Sequence, residues 1–158
     1  MMKFYTENQY QASCDTLYLH YEGEIHKLLP NARVEHVGAS SIPYAVSKGD
    51  LDIFIGVSAS DLEASVQRLK TLGFQEKIDT LRTSALCMLE AISGEDVAFQ
   101  VVANGSEFEC FLTFRDALRE SADLVQQYNE LKLSCTGLSQ TAYREKKAIF
   151  VTQVLAKE

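Results

Sequence analysis

Tryptophan is absent from this 158-residue chain, and proline occurs only twice. With so little proline, and no tract rich in Gly, Ser or Pro, the sequence offers no linker at which to divide it. Its length fits one domain, residues 1–158. No apolar run approaches the roughly 20 residues of a membrane-spanning helix. The opening MMKFYTENQYQ has neither the basic flank nor the apolar stretch of a secretory leader. A cytoplasmic protein without membrane association is therefore expected. Basic residues are the minority charge, 15 against 22 acidic, for a net charge of −7. That balance argues against broad nucleic-acid binding, while leaving room for a local basic pocket around a phosphorylated small molecule. Four cysteines (Cys14, Cys87, Cys110 and Cys135) include no C-x-x-C pair. Buried free thiols are expected rather than a zinc site.

What is present is alternation of helix and strand patterns. Residues 8–29 read as a helix, with Tyr10, Cys14, Leu17, Tyr21, Ile25 and Leu28 on one face and Pro30 as its stop. A short strand over 32–37 ends at Gly38, and the most apolar strand covers 51–57. The next helix is predicted to start at Ser60, with Glu63 completing a capping box. Strands follow at 74–78, 84–92 and 97–103, the last two joined by the turn-like Ser93-Gly94-Glu95-Asp96. Helices are expected near 107–120, 121–135 and 139–157, with Ser121 and Ser139 as N-caps. The fold class is α/β or α+β: a mixed sheet, flanking helices and a helical C-terminal third.

Residues 34–53 carry the chemistry. Gly38, Ser40 and Ser41 follow a strand end, where a glycine permits close backbone approach and exposed amides with two hydroxyls suit phosphate oxygens. Asp50 and Asp52 flank Leu51 at the head of the apolar strand. Alternate strand residues share a face, so both carboxylates point the same way, a donor pair suited to Mg²⁺ or Mn²⁺. Lys48 is a further candidate for phosphate.

The pattern Gly-x-Ser followed by Asp-x-Asp on an apolar strand resembles the nucleotidyltransferase signature. More narrowly, Glu35-His36-Val37-Gly38-Ala39-Ser40-Ser41-Ile42-Pro43 resembles the E-H-[IV]-G-S-T-[AS]-[VI]-P segment of the GrpB family (UPF0157). Lys48–Ile53 stands at that family's K-P-x-[IL]-D-[IL]. Phe114–Arg119 resembles F-R-D-Y-L-R. Tyr128, Leu131 and Lys132 fit its E-Y-x-x-L-K helix, and Tyr143 with Lys147 its Y-x-x-x-K element. The likeness spans roughly residues 8–155 and implies a nucleotidyltransferase-like fold.

With the residue chemistry, it points to metal-dependent transfer of a nucleoside monophosphate from an NTP to an unidentified small-molecule acceptor. Asp50 and Asp52 would hold the metal, and Gly38, Ser40, Ser41 and Lys48 the phosphates. Asp50 stands where many GrpB proteins carry an apolar residue. Gln100 falls near the superfamily's third carboxylate and can be neither base nor good Mg²⁺ ligand. Glu90 or Asp96 would replace that acid if the hairpin register turned one inward. The alternative is an inactive module that binds nucleotides or phosphometabolites. His36 is expected to hydrogen-bond the turn. Arg115 is expected to pair with Asp116, tying helix to sheet, or to reach a pocket phosphate.

Overall fold

The computed structural model describes residues 3–157; residues 1, 2 and 158, included in the one-domain reading, lie outside them. Helix α1, Glu7–Leu28, ends just before Pro30 and buries Tyr10, Cys14 and Ile25 from the expected face. It is followed by β1, Arg33–Val37, and by the connection 38–50. Then come β2, Leu51–Val57, α2, Leu62–Lys70, β3, Phe74–Glu76, β4, Leu86–Ala91, and β5, Val97–Ala103. Helices α3, Cys110–Arg119, α4, Ala122–Ser134, and α5, Gln140–Ala156, complete the described chain. None of these helices is long and apolar enough to cross a membrane.

The strands form one mixed sheet in the order β1-β2-β5-β4-β3. Only β2 and β5 run parallel; the other neighbours are antiparallel. These two central strands are covered on both faces, which is why their sequences read as near-continuous apolar runs. Side-chain alternation divides the residues cleanly. Leu51, Ile53, Ile55, Phe99, Val101 and Leu89 pack with Ile25 of α1 and Leu62, Val66 and Leu69 of α2. On the other face, Phe54, Val102 and Leu86 meet Leu112 of α3. A second core joins α3, α4 and α5 around Leu118, Tyr128 and Phe150, the last two stacked with ring centroids 5.4 Å apart. Ile42 and Ala45, from the β1–β2 connection, are buried in that core. The connection is thus clamped between sheet and helical third.

Several boundaries differ from the sequence reading for local reasons. The start of α2 is not capped by Ser60. Ser58 precedes a 3₁₀ turn at Ala59–Asp61, and its hydroxyl donates to Asp61 Oδ2 at 2.7 Å. The expected capping box is absent because Glu63 binds Arg82 instead, at 2.8 Å. β3 stops at Glu76; Lys77 N still donates to Met88 O of β4 at 2.9 Å, and the chain beyond it leaves the sheet to border a cleft. Residues 107–109 form a 3₁₀ turn ahead of α3. Ser121 and Ser139 do cap α4 and α5, accepting from Leu124 N at 3.2 Å and Ala142 N at 3.1 Å. Cys14, Cys87 and Cys135 are buried free thiols, whereas Cys110 is partly exposed at the cleft.

Candidate functional site

The β1–β2 connection and the face of the sheet carrying Asp52 meet the C-terminal helices across a cleft of about 830 Å³. Its floor comes from adjacent strands: Val37 of β1, Asp52 of β2, Gln100 of β5 and Met88 of β4. Val37 pairs with Asp52 and Met88 with Gln100, so strand register itself brings these four to one face. Asp50, one residue before β2, borders the same cleft, as do Gly38 and Lys48.

Gly38 adopts φ of 76°, a conformation that suits glycine. The chain turns there against Asp52, leaving no space for a side chain. Beyond the glycine, Ser40 and Ser41 are buried and do not border the cleft. Ser41 Oγ donates to Gly38 O at 2.6 Å, and Ser40 Oγ lies 2.8 Å from His36 Nε2. His36 stacks on Tyr18 with centroids 5.2 Å apart, on the side of β1 away from the cleft. Burial lowers its pKa to about 4.

Arg115 is also buried away from the cleft. It bridges Glu35 at 2.7 Å and Asp116 at 2.8 Å, and donates to His36 O at 3.1 Å. This arrangement includes the expected Arg115–Asp116 pair and fastens α3 to β1. Glu90 shares the cleft face through its pairing with Ala98, yet is not among the residues bordering the cleft, and Asp96 is exposed ahead of β5. Gln100 therefore has Met88, not an acid, directly opposite it on β4. Its Nε2 donates to Asp52 Oδ1 at 3.3 Å, and its buried Oε1 has no hydrogen-bond partner among the described residues.

The opposite wall was not foreseen. Gln140, Tyr143, Arg144, Lys147 and Val151 of α5 all border the cleft, spaced as one helical face. Lys48 Nζ and Lys147 Nζ lie 5.6 Å and 6.0 Å from the Tyr143 ring centroid. The Tyr143 and Lys147 spacing was visible in the sequence, but nothing in it said that this face would look onto Asp52. Tyr128 packs in the helical core and also borders the cleft.

Lys132 is the least expected residue. Only 1% exposed, it donates from Nζ to Val46 O and sits 3.8 Å from the Tyr128 centroid. Asn129 reinforces this tether, accepting from Val46 N at 2.8 Å and donating to Tyr44 O at 2.9 Å. Helix α4 thereby fixes the backbone that leads to Lys48 and Asp50.

The electrostatics follow from crowding acids on a desolvated floor. Burial, and then repulsion from Asp50, raise the pKa of Asp52 to about 6, while Lys147, Gln100 and Lys48 act in the opposite direction. Burial and the nearby Lys147 lower Lys132 to about 7, opposed by Asp50. The cleft thus holds two acids of like charge facing a wall of cations.

The mixed five-stranded sheet with flanking helices and a helical C-terminal region is a nucleotidyltransferase-like fold. The solved structure of Cid1, described as having RNA terminal uridylyl transferase activity, is similar over 81% of this chain and 38% of its own, with a TM-score of 0.50 and 15% identity. A protein-family model, GrpB protein, matches residues 8–157, and the chain belongs to that family. A UPF0157 protein of Vibrio cholerae is 64% identical, covering 99% of this chain and 83% of the relative. A UPF0157 protein of Deinococcus radiodurans is 30% identical over 82% of this chain and 69% of its own. The crystal structure of GrpB from Enterococcus faecalis matches 98% of each chain with a TM-score of 0.78 at 19% identity.

Proposed function

We propose that the chain transfers a nucleoside monophosphate from an NTP to a hydroxyl or phosphate of a small molecule, with Mg²⁺ or Mn²⁺ as cofactor. The observation that carries this reading is the shared exposure of Asp50 and Asp52 to one cleft, facing Lys48, Arg144 and Lys147. Two carboxylates that repel one another fit a hard divalent cation, whose oxygen preference they match and whose charge would relieve that repulsion. Held by Asp50 and Asp52, such an ion would neutralise phosphate charge and increase the electrophilicity of the α-phosphorus.

The protein's own part is positioning and charge complementarity. Lys48, Arg144 and Lys147 bind the phosphates, with the guanidinium of Arg144 suited to two oxygens at once. Gly38 lets the backbone lie close to them. Ser40 and Ser41 act from beneath, holding the turn through Gly38 O and His36. The acceptor oxygen forms its bond to the α-phosphorus as the bond to the bridging oxygen breaks. Pyrophosphate leaves with that electron pair, and the acceptor proton passes to water because the Gln100 amide is not basic.

One observation favours a second reading, a module that binds nucleotides or phosphometabolites without turnover. Gln100 occupies the cleft floor, and among the described residues no group of three His, Cys, Asp or Glu side chains is arranged to hold a metal. An assay separates the two. Labelled NTPs, Mg²⁺ or Mn²⁺ and a pool of small-molecule acceptors are expected to give pyrophosphate, and Asp52→Asn to abolish it. A nucleotide-dependent rise in melting temperature without pyrophosphate would replace transfer by binding alone.

A further inference from the structure

Buried tyrosine hydroxyls ordinarily find a hydrogen-bond partner. Tyr10, 5% exposed, does so by donating to Ala45 O. Tyr128 and Tyr143 are buried as deeply, at 1% and 4%, yet both border the cleft. Among the described residues neither hydroxyl has a backbone or charged partner. Each lies close enough to the other to influence its ionisation.

The Tyr128 ring is held so that its hydroxyl end is the part left for the cleft. Phe150 stacks on it, Phe114 meets it edge-on, and Lys132 Nζ lies 3.8 Å from its centroid. Asp50 and Asp52, which border the same cleft, both act on that hydroxyl. Tyr143 belongs to the stripe of α5 that faces the cleft, and the ammonium groups of Lys48 and Lys147 lie over its ring. Burial pushes both phenols above their ordinary range, so each keeps its hydrogen near neutral pH. Two neutral O–H donors thus adjoin both the acids and the cations of the site.

The extent of the donor array says what it fits. From Gln140 to Lys147 the cleft-facing stripe of α5 runs about 10 Å along the helix axis. The oxygens of one phosphate do not reach both ends, whereas a chain of phosphates offers acceptors along the way. Asp50 and Asp52 would repel a bare anion, so the fitting species is a magnesium complex.

We infer that Tyr128 and Tyr143 are ligand-binding residues whose hydroxyls donate to oxygens of a diphosphate unit, which in an NTP is the pyrophosphate that leaves. The final clause rests on the transfer reading; binding of a diphosphate does not. A hydrogen bond to a charged oxygen is stronger than one to a neutral acceptor, so each phenol contributes measurably to affinity.

The test uses the whole protein in magnesium buffer, with inorganic pyrophosphate and orthophosphate as probes. Calorimetry compares the wild type with Tyr128→Phe and Tyr143→Phe, each checked for retained melting temperature. The wild type should bind pyrophosphate about tenfold or more tightly than orthophosphate. Each variant should lose about tenfold of its pyrophosphate affinity. NMR of the wild type labelled at tyrosine Cζ adds a readout that a packing role would not move. Of the seven tyrosines, pyrophosphate should shift the two whose signals are missing from the variants. Undiminished pyrophosphate affinity in either variant overturns the inference, as do equal binding of the two probes, no binding of pyrophosphate, or two unmoved signals. Pyrophosphate binding that depends on both tyrosines, in a protein that releases none from any NTP, would keep this subsite and remove the transfer reading. Turnover that both variants retain with unchanged KM would do the reverse.

Discussion

An ideal Cβ on Gly38 would overlap Asp52 Oδ2 and lie 3.1 Å from Asp52 Cγ. The glycine that ends β1 and the acid at the head of β2 therefore determine one another. The backbone turns so closely over the carboxylate that any side chain there must move it.

Gly38→Ala is consequently expected to displace Asp52 as well as strain a backbone held at positive φ. Stability should fall by about 1–3 kcal/mol, and nucleotide turnover should fall much further. Denaturant unfolding together with pyrophosphate release checks both. A variant of lowered stability and normal turnover would show that Asp52 does not depend on this contact.

Asp52→Asn should separate function from folding in the opposite sense. The Asp52 carboxylate is destabilised by burial and by Asp50. A neutral isostere removes that penalty, so the variant should melt no lower than the wild type near neutral pH while losing turnover. A large drop in melting temperature would mean that the charge is needed by the fold.

Arg115 predicts a purely structural loss. Its guanidinium joins Glu35, Asp116 and the His36 carbonyl from a site that is 6% exposed. Arg115→Leu leaves Glu35 with Arg33 but without its α3 partner, and should cost about 1.5–3 kcal/mol in urea unfolding. Arg115→Lys should recover only part of this, because an ammonium cannot make the same planar set of bonds.

Lys132 gives the protein a pH dependence with a definite sign. Its pKa is about 7 in the fold and 10.5 in the open chain. Between those values the unfolded state binds more protons, so this residue makes stability rise with pH from about 7 to 10. Below pH 7 both states are protonated and the full penalty is present. Lys132→Met should flatten that rise, by up to about 1.4 kcal/mol per pH unit. Chemical denaturation across this range checks it, and parallel profiles for the two proteins would show that Lys132 is not buried as a titrating amine.

The residues differ in how openly their sequence context announced them. β2 and β5 were legible as apolar runs because both faces of each strand are covered. Asp50 and Asp52 were legible as a pair because strand alternation is a local rule. The N-terminal start of α2 was not, since the expected cap, Ser60, lies inside the 3₁₀ turn at Ala59–Asp61 and Glu63 pairs with Arg82. The buried serines illustrate the same limit: Gly-Ala-Ser-Ser names a turn, but the packing of Ile42 and Ala45 against the helical third decides which atoms of it see solvent. Lys132 was the furthest from view. Lysine is among the residues least often fully buried, and only the Val46 carbonyl and the Tyr128 ring explain its position.

The most direct measurement is a calorimetric titration of magnesium with each of the four α,β-methylene nucleoside triphosphates, whose bond to the leaving group cannot be cleaved. It is made on the wild type, on Asp50→Asn/Asp52→Asn and on Lys147→Ala. At least one nucleotide should bind the wild type only with magnesium, with affinity lost in the double variant and weakened in Lys147→Ala. No binding to the wild type, or equal binding to the double variant, would contradict the account.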